Sequence, residues 1–196
     1  MLPLLTLLYV IIWYVVVLTI IGLIVLMALR LIVNQADLNP FGWFAMSVRR
    51  WTDPLINPIR RGLGRAGLDP KYAPLLVVLL GLLFGYFALE FVENVLFMLS
   101  GVITSVVAGA PLRLIGYLLY GVLAIYTLLI FMRIILSWGM SQVNPLMRFL
   151  LRATDPVLVP FRRLIPPVGM FDISPIIVIF LLQLFQRAVE GTLLRM

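Results

Sequence analysis

The chain alternates long stretches without a charge and shorter stretches crowded with arginine. Met1–Leu29 contains no Asp, Glu, Lys or Arg, and neither do Tyr72–Leu89, Asn94–Leu112 and Leu114–Met132. A shorter uncharged run, Ile173–Gln186, is continued past Arg187 by Ala188 and Val189. Runs of about 18 or more apolar residues are long enough to cross the hydrocarbon of a bilayer as helices. The pattern predicts four membrane helices, at about Leu7–Val33, Pro74–Leu99, Leu112–Trp138 and Pro175–Leu193. The first and third would be roughly 40 Å long at about 1.5 Å per residue, so they tilt or project beyond the ~30 Å core. The first run has no basic residue ahead of it and no small-residue cleavage site near its end, so it reads as a retained membrane helix.

The connections differ in character. Ser100–Pro111 is short and neutral, whereas Asn34–Ala73 and Gly139–Ser174 are long and basic. The first long loop carries Arg49, Arg50, Arg60, Arg61, Arg65 and Lys71, and the second carries Arg148, Arg152, Arg162 and Arg163. Only Arg113, Arg187 and Arg195 fall on the opposite side. The excess of arginine in cytoplasmic loops puts both long loops in the cytoplasm and both termini outside.

Inside these loops one phrase is written twice. TDPLINPIRR occupies Thr52–Arg61 and TDPVLVPFRR occupies Thr154–Arg163, with six of ten positions identical. The correspondence extends outward: Arg30 answers Arg133, Asn39-Pro40 answers Asn144-Pro145, and Gly67, Asp69 and Pro74 answer Gly169, Asp172 and Pro175. Each half is therefore helix, long basic loop, helix, with 1–100 as the first repeat and 101–196 as the second. A two-helix unit returns the chain to its starting side, so the repeats are expected to be parallel, related by an axis along the membrane normal. The expected fold is an all-α integral membrane protein: four transmembrane helices as two parallel two-helix repeats, with short amphipathic interfacial helices in the two cytoplasmic loops.

Asparagine caps helices and proline is favoured at the first helical position, so Pro40–Trp51 and Pro145–Ala153 are predicted to be short helices. Their arginines face phosphates and their apolar residues face the membrane. At Thr-Asp-Pro a break and restart is expected, because the residue before proline is biased away from helix. Pro58 and Pro160 then limit the new turn, and the arginine pair follows. Two uses of the phrase remain open. It folds the loop flat on the membrane, or it docks anionic lipid or a partner protein through Asp53, Pro54, Pro58, Arg60 and Arg61 and through Asp155, Pro156, Pro160, Arg162 and Arg163.

Composition sharpens the picture. The chain is 63% hydrophobic and 12% charged, with a formal net charge of +7. A basic balance in a soluble protein suggests nucleic acid; here the arginines sit where membrane topology wants them, and no nucleic-acid motif accompanies them. There is no cysteine and no histidine. That excludes disulfides, Cys/His zinc sites, His-ligated or covalently attached haem, and nucleophile systems built on Cys-His or Ser-His-Asp. No catalytic, cofactor-binding or metal-binding residues emerge.

Other polar residues have two readings each. Glu90 and Glu93, at i and i+3, and Glu190 fall near the outer boundary, as surface groups paired with Arg113 or Arg187 or as a proton-relay or cation site. Gln183 suits an interhelical hydrogen bond. Arg30 and Arg133 either snorkel to the interface or pair with Asp53 and Asp155. Gly81-x-x-x-Gly85 permits close helix packing. Tyr117, Tyr120 and Tyr126 suit packing or the interface.

The duplicated Asp-Pro-x-x-x-Pro-x-Arg-Arg (Asp53–Arg61 and Asp155–Arg163), continued in the second half as LIPPVGMFDISPIIVIFLLQ (Leu164–Gln183), resembles the YggT family of small integral membrane proteins, called YlmG in Gram-positive bacteria. The resemblance covers nearly the whole chain, as a double-repeat member; plastid relatives typically carry one repeat. The first half departs from the pattern, lacking Ile-Pro-Pro and carrying Ala73 where the second half has Ser174. The resemblance implies no enzymatic activity and no cofactor. Bacterial relatives are linked to cell division or envelope processes and to osmotic tolerance, and chloroplast relatives to assembly of a thylakoid cytochrome complex and to nucleoid distribution. The expectation is a non-enzymatic scaffold or assembly factor of the bacterial plasma (inner) membrane. Its partners would be anionic lipid headgroups, a larger membrane-protein complex and a second copy of itself, with no direct nucleic-acid contact. The alternative is a transporter- or channel-like component in osmotic or ion homeostasis.

Overall fold

The computed structural model describes residues 2–35, 42–65, 67, 69–139, 143–165 and 172–195. Among the described residues all regular structure is helical. The order is α1 (Leu2–Gln35), α2 (Trp43–Arg65), a 3₁₀ turn (Pro70–Tyr72), α3 (Ala73–Val107), α4 (Pro111–Gly139), α5 (Pro145–Leu164) and α6 (Ser174–Thr192). Among the described residues, four stretches are long and apolar enough to cross a membrane: Pro3–Asn34, Pro70–Val107, Pro111–Ser137 and Ser174–Thr192. A helix is the form in which such a segment satisfies every backbone group internally, which hydrocarbon demands.

The ends of the helices follow from local chemistry. Pro145 opens α5 and Asn144 caps it, its side chain accepting from the Leu146 amide at 2.9 Å. The matching Asn39-Pro40 lies outside the described residues. Asp69 caps the 3₁₀ turn by accepting from the Lys71 amide at 2.9 Å. The helix α3 runs further than the expected Leu99. The hydroxyls of Ser100, Thr104 and Ser105 bond back to carbonyls three or four residues earlier, so these polar residues continue the helix. It stops at Gly109, whose φ of 63° is open to glycine without strain. There the Ala110 amide donates to Ser105 and the Gly109 amide to Val106, satisfying the last carbonyls.

One expectation is overturned. The chain does not break and restart at Thr-Asp-Pro: α2 runs through Pro54 and Pro58, and α5 through Pro156 and Pro160. An interior proline removes one helical donor and costs about 3 kcal/mol. In each helix, however, the two prolines stand four residues apart on one outward side, exposed or half-buried. The opposite side is held by packing that a break would forfeit. Thr52 and Thr154, at the place of the expected break, lie mid-helix and are fully buried.

Contacts group the described chain into two units, one with α1 from Ile11, α2, the 3₁₀ turn and α3 as far as Tyr86, the other with α1 up to Val10, α3 from Phe87, α4 to Ser137, α5 and α6. The core of the first unit joins Met27 of α1, Ile56, Ile59 and Leu63 of α2, and Ala73 and Val77 of α3. In the second unit Ile130 and Phe131 of α4, Leu158 of α5, and Val178 and Ile179 of α6 pack together. The Phe87 ring stacks on Phe131 with centroids 4.0 Å apart. Within the first unit the two small residues Gly81 and Gly85 meet Leu23, Ile20 and Val16 of α1, so the Gly-x-x-x-Gly spacing is used for close packing.

Candidate functional site

An arginine near the end of a membrane helix and a Thr-Asp pair in the following helix form the polar core of each unit. In the first, Arg30 Nη1 donates to Thr52 Oγ1 at 3.2 Å and Nη2 to Asp53 Oδ1 at 2.7 Å. In the second, Arg133 Nη1 donates to Thr154 Oγ1 at 2.6 Å and contacts Asp155 Oδ1 at 2.8 Å. Each threonine hydroxyl in turn donates one helical turn back, Thr52 to Val48 O and Thr154 to Leu150 O, both at 2.7 Å. The hydroxyl thus accepts from arginine while donating to its own helix, which satisfies a fully buried oxygen on both counts.

The arginines choose pairing over snorkelling. Arg30 is 5% exposed and Arg133 6% exposed, so neither head reaches water directly. A buried guanidinium is tolerated only with charged and hydrogen-bonding partners, and the repeated Thr-Asp supplies both. The two aspartates stay about two-fifths exposed, at 41% and 42%. Asp53 and Asp155 therefore act inward. Threonine is the participant that sequence reasoning misses, although its place in both copies of the phrase is the available signal. A further pin in the second unit is the Tyr126 hydroxyl, which donates to Ala153 O at 2.8 Å.

The arginine pairs divide. Arg162 Nε donates to Asp172 Oδ2 at 2.5 Å, tying α5 to the entry of α6. Partial burial works to raise the Asp172 carboxyl; the Ser174 hydroxyl and amide and then Arg162 outweigh it and hold that carboxyl below its ordinary value. Arg163 is exposed and lines a groove of about 720 Å³ with Arg152, Asp155, Pro156, Val159, Pro160 and Leu164. In the first unit Arg60 is half-buried and Arg61 exposed, with Pro54 exposed and Pro58 half-buried beside them. At the remote end of the second unit, Gln183 Nε2 donates to Glu90 Oε1 at 3.1 Å, the interhelical bond expected of Gln183. The Tyr120 hydroxyl donates to Asn94 at 2.7 Å.

Comparison with known proteins places this chain among relatives. The family model described as CCB3/YggT matches residues 112–193. A protein of Haemophilus influenzae is 34% identical over 146 residues, covering 74% of this chain and 70% of that protein. The YggT protein of Escherichia coli K12 is 32% identical over 160 residues, covering 79% of this chain and 74% of that protein. Both of these bacterial relatives are described as uncharacterized. The ycf19 protein of Guillardia theta is 38% identical over 73 residues, which are 36% of this chain but 80% of that protein. No solved structure matches the chain.

Proposed function

The chain belongs to the YggT family, and from that premise we propose that it is a non-enzymatic scaffold or assembly factor of the bacterial plasma membrane. In this reading the two halves are parallel repeats, each a membrane hairpin with an amphipathic helix lying in the cytoplasmic headgroup layer. The observation that carries it is the buried Arg-Thr-Asp lock in both units. In each lock the threonine oxygen accepts from the arginine and donates to its own helix, and the carboxylate faces a buried guanidinium, so the lock is structural. Its effect is to fix α2 and α5 on their hairpins, presenting the arginine pairs and prolines of the repeated phrase outward at a defined depth.

The membrane helices support docking rather than transport. Only 6% of the most apolar window of α1 is fully buried, and Leu4, Leu7, Ile11, Val15, Leu18 and Val25 stand exposed, so a broad apolar side of α1 faces lipid or another protein. Within the spans Gln183 bonds Glu90 and Tyr120 bonds Asn94, while the second Glu90 oxygen is buried without a partner. The partner would be a larger membrane-protein complex, approached through α1 and steered by Arg60, Arg61, Arg162 and Arg163.

The test is purification of the tagged chain from its own membranes in a gentle detergent, with mass spectrometry of what stays bound. A stoichiometric membrane complex, lost on replacing Arg162 and Arg163 by alanine while insertion persists, is the expected result. A chain that carries only lipid, and that supports ion or solute flux when reconstituted, would overturn the scaffold reading.

A further inference from the structure

We propose that the groove on the outward side of α5 is a binding site for the headgroup of an anionic glycerophospholipid. It rests on the reading that α5 lies in the headgroup layer. Its floor is apolar, made by Pro156, Val159, Pro160 and Leu164, and its ends are Arg152 and Arg163. These arginines are three helical turns apart, roughly 16 Å along the axis, with Pro156, Val159 and Pro160 between them and Leu164 just past Arg163. The side of α5 bearing Met147, Leu150, Thr154 and Leu158 is buried, so the groove belongs to the free side.

The charge balance selects an anion. Asp155 also lines the groove, but its carboxylate is paired with buried Arg133 at 2.8 Å. Arg162 is occupied by Asp172 and does not line the groove. Arg152 and Arg163 therefore bring two charges that nothing in the groove offsets. Guanidinium forks suit phosphate oxygens, and the proline-valine-leucine floor suits glycerol and the first methylenes of a lipid chain. A free phosphate would use the arginines and leave the floor unused.

The site belongs to one half only. The positions of the first half that answer Val159 and Leu164 are Asn57 and Gly62, which supply no apolar floor. The arginine equivalents Arg50 and Arg61 are retained, so charge alone does not distinguish the halves; the floor does.

Native mass spectrometry of the full chain in nonionic micelles tests this. The probes are phosphatidylglycerol and phosphatidylcholine with identical acyl chains, supplied in equal amounts. The expected result is one phosphatidylglycerol held per chain in roughly tenfold preference. Arg152→Ala with Arg163→Ala should bring the ratio to parity, as should Arg152→Gln with Arg163→Gln, run alongside so that a folding defect in one pair does not decide the outcome. Arg50→Ala with Arg113→Ala removes the same charge away from the groove and should leave the preference in place. Parity in the unmodified chain overturns the site, as does a preference that survives both groove pairs. Displacement of the lipid by millimolar inorganic phosphate would make it a free-anion site and also overturn it. A groove pair that loses a co-purified protein with no change in lipid ratio would assign the groove to that protein instead. The lipid ratio is independent of whether a membrane complex co-purifies, so failure of the scaffold reading leaves this result standing on its own.

Discussion

Arg133 lies 2.6 Å from the hydroxyl of Thr154, and the same guanidinium nitrogen lies 2.8 Å from Asp155. The three groups differ in access to water: the arginine side chain is 7% exposed and the aspartate side chain 42%. The pair should therefore respond unequally to truncation. Asp155→Ala leaves a buried cation with only a neutral hydroxyl. Arg133→Met leaves a carboxylate that water can reach, and fills the space with a flexible apolar chain. The expected losses are about 3 kcal/mol for Asp155→Ala and about 1 kcal/mol for Arg133→Met. Reversible unfolding in mixed micelles measures both, and equal losses would refute the argument.

Thr154 is the more sensitive test of the hydrogen-bond geometry. Its oxygen accepts from Arg133 and donates to Leu150 O at 2.7 Å, at a position with no exposed surface. Thr154→Val keeps the shape and removes the oxygen. Thr154→Ser keeps the oxygen and removes a methyl. A charge-assisted bond at a buried site is worth about 1.5–3 kcal/mol, so valine should cost about 2 kcal/mol and serine less than about 1 kcal/mol. A valine variant as stable as the parent chain would mean that the lock is electrostatic alone.

Much of this architecture is legible in the amino-acid sequence. The uncharged runs locate the four long helices, and the duplicated phrase locates the helices between them. Proline is what misleads. Local rules treat Pro54 and Pro156 as the start of a new element, because they weigh one lost donor and one crowded carbonyl. They do not weigh Ile56 and Leu158, which are fully buried on the other side of the same helices and hold them continuous. Arg30 and Arg133 are ambiguous for a similar reason: snorkelling and pairing are equally compatible with a position in the chain. Only the depth at which α2 and α5 meet α1 and α4 separates them. Asn94 and Tyr120 carry no pattern to mark them, since their bond joins two helices that sequence spacing does not relate.

Asp172 gives a dependence on pH. Its carboxyl is held below its ordinary value by Ser174 and Arg162, against the opposing effect of partial burial. A carboxyl whose pKa is lower when folded binds fewer protons in the folded state than in the unfolded state across that window. Its contribution is therefore present above the unfolded pKa and is lost as pH falls through the folded one. Asp172→Asn should be less stable than the parent chain at pH 7, with the gap narrowing as pH is lowered through the ordinary carboxylate range and below. Melting temperatures of both proteins across that range provide the check. A gap that stays constant or widens toward acid would contradict the assignment.

Two glycines face the same substitution with different neighbours. A Cβ at Gly81 would meet the tip of Leu23, and one at Gly101 would meet three atoms of the Tyr117 ring. A leucine tip can change rotamer. The Tyr117 ring is rigid and is held edge-on by Phe97, with centroids 5.4 Å apart. In a helix, alanine gains up to about 1 kcal/mol over glycine from backbone entropy, and overpacking costs about 1–3 kcal/mol where the neighbour cannot yield. Gly81→Ala should therefore be neutral within about 1 kcal/mol, because the two effects offset. Gly101→Ala should be destabilised by about 1–2 kcal/mol, because the ring must leave its place. Unfolding of the two variants side by side decides it. A Gly101→Ala chain no less stable than Gly81→Ala would mean that Tyr117 has a second position as favourable as the one beneath Phe97.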